Sequence, residues 1–204
     1  MIVTSNSHIL SFYPQILRSE VENNLNASFV IIGLVASVGP NLTDGMWKNF
    51  TSRTLFLRPN VKTLVYCDRV LASQRAAFEK EHNATIKTVT SNGTWVDRPP
   101  DSEYAPIIYE TDDIQLYLFD AGSVPILQKA LFFARDTGLF TLSPPSPFQG
   151  SWQMGAYLAY YGQGLDGATF SSEAARKDAC IGYVATVLNI IEVFGAVLSR
   201  YADS

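Results

Sequence analysis

The feature that most constrains this 204-residue chain is one helical stripe near its start. Leu17, Val21, Leu25, Ser28 or Phe29, Ile32 and Val35 recur every three or four residues, which is the spacing of one helical face. Gly39-Pro40 ends the run, because glycine accepts left-handed backbone at a helix end and proline cannot continue the helix. The pattern predicts one helix from about Pro14 to Val38, with Pro14 in the first turn, where a missing N–H goes unnoticed. The chain is thus read as one domain, or one domain plus a long helical arm. Arg18–Asn26 is polar and Phe29–Val38 is apolar on nearly every side. The first half is therefore expected in water and the second half buried.

Downstream, shorter elements follow. A second helix is expected from Thr43 or Asp44 as N-cap, carrying Trp47, Phe50 and Leu55 and ending before Arg58-Pro59. Val61–Tyr66 and Thr85–Val89 read as strands, with a short helix capped by Ser73 between them. Residues 90–103 read as a loop and Tyr104–Tyr109 as a strand. Ser123-Val124-Pro125 opens a helix that Gly138 stops. Leu139–Leu142, Gln153–Tyr161 and Ala179–Leu188 read as strands, with a rigid turn at 143–147 and a glycine-rich loop at 162–172. Asn189–Tyr201 closes the chain as an amphipathic helix. Strands close in sequence pair antiparallel. The expected fold class is α+β: a long N-terminal helix, then an antiparallel sheet with helices packed on it and a pocket between the sheet and the helix over it.

Composition narrows the function. With 47% hydrophobic residues the chain can bury a core, and with a net charge of −4 it lacks the basic stripe that nucleic acid requires. His8 and His82 stand apart with no metal-ligand spacing, and no Gly-x-Ser-x-Gly turn is present. No metal, no cofactor and no catalytic residue is expected, and a binding module is preferred over an enzyme. Cys67 and Cys180 permit one bridge or two small buried thiols. Five of the ten asparagines (Asn26, Asn41, Asn49, Asn83 and Asn92) stand in Asn-x-Ser/Thr, the acceptor triplet for glycans, which predicts the extracellular or lumenal side of a membrane. The best apolar run, Ala27–Val38, is about twelve residues, short of the ~20 that cross a bilayer. Without that or a signal peptide at Met1–Leu10, the chain is expected to be a fragment of a longer membrane protein.

Several blocks in order carry a resemblance. They are Arg58-Pro59, Tyr66, Arg69-Val70, Arg75, Phe78-Glu79, His82-Asn83, Tyr104-Ala105-Pro106, Ala134-Arg135-Asp136-Thr137-Gly138, Ser146-Pro147-Phe148 and Gly182-Tyr183. Over roughly residues 21–198 the chain resembles the CHASE domain, the extracellular sensor of cytokinin-receptor histidine kinases and some cyclases. The resemblance implies a stalk helix over 1–42 that forms a homodimer, a PAS-like ligand-binding module over 43–188, and a helix over 189–204 leading to a membrane-proximal module. It implies an adenine-type small-molecule ligand, with Asp112 holding the adenine and Ser143 nearest its tail. Leu142, Tyr104, Tyr157, Ala159, Ala185 and Thr186 would line the pocket. Ala185 and Thr186 stand where plant members of the family carry two glycines, so the pocket is expected to be smaller or differently shaped. The alternative is a module that has lost its ligand and acts in dimerisation or protein contact.

Overall fold

A computed structural model describes residues 6–58, 60–111, 115–148, 151–162 and 169–202. The long helix α1 spans Asn6–Val38, 33 residues. It starts ahead of Pro14, which sits inside it rather than in its first turn; proline removes one backbone bond locally, and the helix runs on. Gly39, at φ +59°, opens a tight turn over Gly39–Asn41, a left-handed conformation that suits glycine. Helix α2 follows over Asp44–Phe56, capped by Thr43, whose hydroxyl accepts the N–H of Met46 at 3.3 Å.

The main sheet is antiparallel throughout. Its strands are β1 (Val61–Asp68), β6 (Ile107–Glu110), β7 (Thr141–Leu142), β8 (Ser146–Phe148), β9 (Ser151–Tyr161) and β10 (Cys180–Asn189). The order is β6-β1-β10-β9-β7, with β8 also paired to β9. Two ribbons complete the strands: β2 (Val70–Leu71) with β5 (Glu103–Tyr104), and β3 (Lys87–Val89) with β4 (Trp95–Asp97). Helices α3 (Arg75–Glu81), α4 (Pro125–Thr137), α5 (Glu173–Ala179) and α6 (Ile190–Ala202) lie between and after them. The fold class is α+β, as expected.

Several boundaries differ from the sequence pattern. The expected loop at 90–103 contains β4 and the first residue of β5, because Asn92-Gly93 makes a tight turn with Gly93 at φ +83°, a hairpin signal inside a polar stretch. The expected strand over Tyr104–Tyr109 is split at Pro106 into β5 and β6. The SPPSP turn contains β8, an edge position that proline tolerates. Ser73 does not cap α3; the N-cap residue is Gln74, whose side chain accepts from the N–H of Leu71 at 2.9 Å. Cys67 and Cys180 are both buried and both free.

The sheet carries a layer on each face. On one, α4 packs Ala130, Leu131 and Ala134 against Val65, Cys67, Tyr157, Ala159, Tyr161, Tyr183 and Ala185. On the other, α1 packs Ala27, Ile31 and Val35 against Leu64, Ala156, Tyr160, Val184 and Leu188, joined by Trp47 of α2 and Val193 of α6. Contrary to the sequence reading, Val21–Asn41 is, by length and composition, long and apolar enough to cross a bilayer. In this structure only one stripe of that stretch is covered: Ala27, Ser28, Ile31 and Val35 are buried in the second layer, while Phe29, Val30, Gly33 and Ala36 are exposed, so the expected burial of Phe29–Val38 holds for that stripe alone.

Asp120 fastens the approach to α4. It is fully buried. One carboxylate oxygen accepts the N–H groups of Ala105 at 2.7 Å and Gly122 at 3.0 Å, and the other accepts Arg98 Nε at 2.7 Å. Arg98 also donates to Asp101 at 2.8 Å. Removing one partner of a buried pair leaves a charge without compensation. Asp120→Ala is expected to lower stability by roughly 3–5 kcal/mol, read from the urea midpoint; a loss below about 1 kcal/mol, the scale of an exposed pair, would show that the tie is not structural.

Candidate functional site

Successive residues of a strand point to opposite faces, and this sorts the candidate residues. Tyr157, Ala159 and Ala185 face α4 and pack together in its layer. Tyr157 stands opposite Ala185 on β10 and opposite Thr141 on β7. Ser143 joins them from the edge: its N–H donates to the Gly155 carbonyl at 2.8 Å, and its hydroxyl accepts the Gly155 N–H at 3.0 Å. Burial pushes the Tyr157 phenol up, with its hydrogen bond to Ser143 pulling the other way.

Three other candidates lie elsewhere. Thr186 faces α1, as alternation with Ala185 requires, and its hydroxyl lies 2.6 Å from that of Ser28 in a fully buried pair. Tyr104 sits in a separate small cluster with Val70, Ile86 and Phe78, where its hydroxyl accepts the Asp101 N–H at 2.7 Å and Arg75 at 3.2 Å. Leu142 is exposed. Asp112 lies outside the described residues. His82 pairs with the Tyr117 hydroxyl at 2.7 Å and packs on Phe78. Among the described residues no group of His, Cys, Asp and Glu could hold a metal ion.

The sequence reading missed a charged knot at the α5 end of this layer. Glu103 accepts Arg135 at 2.6 Å, the Tyr183 hydroxyl at 3.0 Å and Arg69 at 2.9 Å. Arg69, expected on the surface, is instead largely buried and also donates to the carbonyls of Lys177 at 2.5 Å and Cys180 at 3.1 Å. The Tyr161 hydroxyl donates to the Arg135 carbonyl at 2.6 Å. The available signal was the Ala-Arg-Asp-Thr-Gly block, which places Arg135 in the last turn of α4 facing the sheet.

Burial alone would raise Glu103, but the Arg69 hydrogen bond and the charges of Arg135 and Arg69 outweigh it and hold the carboxyl below its ordinary 4.5. A depressed folded pKa gives stability that is complete above the unfolded value and lost as pH falls through the folded one. Glu103→Gln is therefore expected to be less stable than wild type at neutral pH, with the gap narrowing as pH drops below about 4.5. Urea midpoints between neutral pH and about pH 3 read this, and a gap that stays constant would remove the ionised Glu103 from the account. Asp68, which burial pushes up, titrates in both proteins and cancels.

The model of the CHASE domain family matches residues 40–204. Probable histidine kinase 6 of Oryza sativa subsp. japonica is 30% identical over 158 residues, covering 76% of this chain and 16% of that protein. Histidine kinase 3 of Arabidopsis thaliana is 27% identical over 170 residues, covering 77% and 16%. Histidine kinase 2 of the same plant is 25% identical over 168 residues, covering 77% and 14%. The chain spans about a sixth of these relatives. With four-fifths of its length matched, the chain belongs to the CHASE domain family.

Proposed function

We propose that this chain is the ligand-sensing segment of a membrane-bound receptor histidine kinase, facing the extracellular or lumenal side. Residues 1–42 serve as a dimerising stalk, 43–188 as the PAS-like ligand module, and 189–204 as the lead into a membrane-proximal module. The ligand is a small, flat, largely apolar molecule of the adenine (cytokinin) type, held between α4 and the sheet, with Asp112 as its polar anchor. One observation carries this reading. Ala185 and Thr186 are neighbours on β10, yet Ala185 lies in the α4 layer while Thr186 is hydrogen-bonded to Ser28 of α1. A ligand that displaces β10 from one side therefore acts directly on the stalk at the other. Such a ligand shifts the module only by its differential affinity for two arrangements.

A second reading is favoured by the packing of the layer. Tyr157, Ala159 and Ala185 are each at most 5% exposed, as in a module that acts through dimerisation alone. Calorimetry and thermal shift with N6-substituted adenines separate the two. At ~100-fold excess over Kd, a ligand of the native state adds about 2.7 kcal/mol, so wild type is expected to melt a few degrees higher. Ala185→Leu, which fills the layer, is expected to lose that shift while remaining folded. No shift in wild type supports the dimerisation reading. Equal shifts in both proteins place the ligand outside this layer, and unchanged binding by Asp112→Ala removes that residue as anchor.

The side of the membrane has its own test. Asn26, Asn41, Asn49, Asn83 and Asn92 are all exposed. Material from a eukaryotic secretory host is expected to lose mass on treatment with an N-glycosidase, in steps abolished by Asn→Gln changes at these positions. An unchanged mass would leave the proposed location without support.

A further inference from the structure

Gly155 has no side chain, and the space beside it is taken. A Cβ built there would lie 2.2 Å from the Tyr157 hydroxyl, 2.5 Å from Cζ and 2.6 Å from Cε2. Residues 155 and 157 share one face of β9, so the Tyr157 ring folds back along its own strand and rests on bare backbone. The seat is fixed from the edge by the paired Gly155–Ser143 hydrogen bonds, and Ser143 also satisfies the phenol. Along the strands, its nearest positions on this face are small: Ala159 two residues on, Ala185 across to β10 and Thr141 across to β7, with Leu131 of α4 in the same layer. A large aromatic group is thus seated on glycine, between small residues of the neighbouring strand positions and beside the Ser143 hydroxyl.

We infer that Tyr157 is a built-in occupant of the α4–sheet layer and sets the size of ligand the module admits. A ligand larger than a phenol enters only where the Tyr157 ring leaves its seat. This rests on the reading that ligand binds in this layer, and it adds the residue that decides which ligands fit. It also accounts for Gly155: any side chain there evicts the hydroxyl.

The test uses the whole chain and phenol as the probe, because phenol reproduces the ring and hydroxyl that Tyr157→Val removes. Buried apolar cavities of this size bind small aromatic molecules. By calorimetry, Tyr157→Val is expected to bind phenol roughly tenfold or more tighter than wild type. Tyr157→Leu keeps part of the packing and is expected to show the same order with a smaller gain, which serves should Tyr157→Val fail to fold. In parallel, Gly155→Ala is expected to lower the urea midpoint strongly in wild type and little in the Tyr157→Val background, since neighbouring changes couple when they share a contact. Equal phenol affinity in wild type and both variants, or an equal Gly155→Ala loss in both backgrounds, overturns the inference. If phenol binds the variants while N6-substituted adenines bind no form, the inference stands and the adenine reading falls. If adenines bind wild type and Tyr157→Val equally, that reading stands and the inference falls.

Discussion

The structure depends on the alternation of two long central strands. β9 and β10 run antiparallel in continuous register from Gly182↔Tyr160 to Asn189↔Gln153, and their buried central residues alternate between one helix and the other. Tyr157, Ala159, Tyr183 and Ala185 belong to α4, while Ala156, Tyr160, Val184 and Thr186 belong to α1. A slip of one residue would exchange the two sets, carrying Tyr157 and Tyr183 to the α1 side, where Ala156 and Thr186 now stand. The two helical layers are therefore not independent cores. They are the two sides of one pleated wall, and each constrains the other.

Polar ties hold the α4 layer at its margins while its interior is apolar. Asp120 binds the start of α4 to the 98–105 segment, and Glu103 binds the end of α4 to β2, β10 and α5 through arginines and a tyrosine. Buried ionised groups are costly unless paired, so both carboxylates mark places where these segments must meet in one geometry. The small residues between the ties leave room for the Tyr157 ring, and the family's sensing role would be exercised against this frame.

Much of this was legible in the sequence, for identifiable reasons. The three-and-four spacing from Leu17 to Val35 gave α1, and Gly39-Pro40 gave its end, because helix periodicity and its stop residues are local properties. Gln153–Tyr161, a nearly continuous apolar run, read as the strand that is β9, and Gly138, at φ +72°, ended α4 as expected. What was not legible depended on partners far along the chain. Arg69 reads as a surface cation until Glu103 is brought to it. Thr186 reads as a pocket residue until Ser28 shows which face it takes. The turn ahead of α4 uses left-handed Gln115 at φ 60° and Leu118 at φ 61°, where a reader looks for glycine; the buried Leu118 side chain compensates for a strained backbone. The Tyr157 seat was hidden because a glycine within an apolar strand shows its purpose only when the neighbour resting on it is seen.

The hydroxyl pair of Ser28 and Thr186 has a mechanical consequence. It is a buried polar contact in a seam that also holds Ala27, Ile31, Val35, Ala156, Val184 and Leu188. If α1 slid along the sheet by one turn, both hydroxyls would lose their partner in a dry environment, each at about 1–3 kcal/mol. A tilt of α1 about that point keeps the bond and costs only contacts at the ends. The pair thus behaves as a pin in a lever: it opposes piston travel and leaves swinging as the easy motion of the rod.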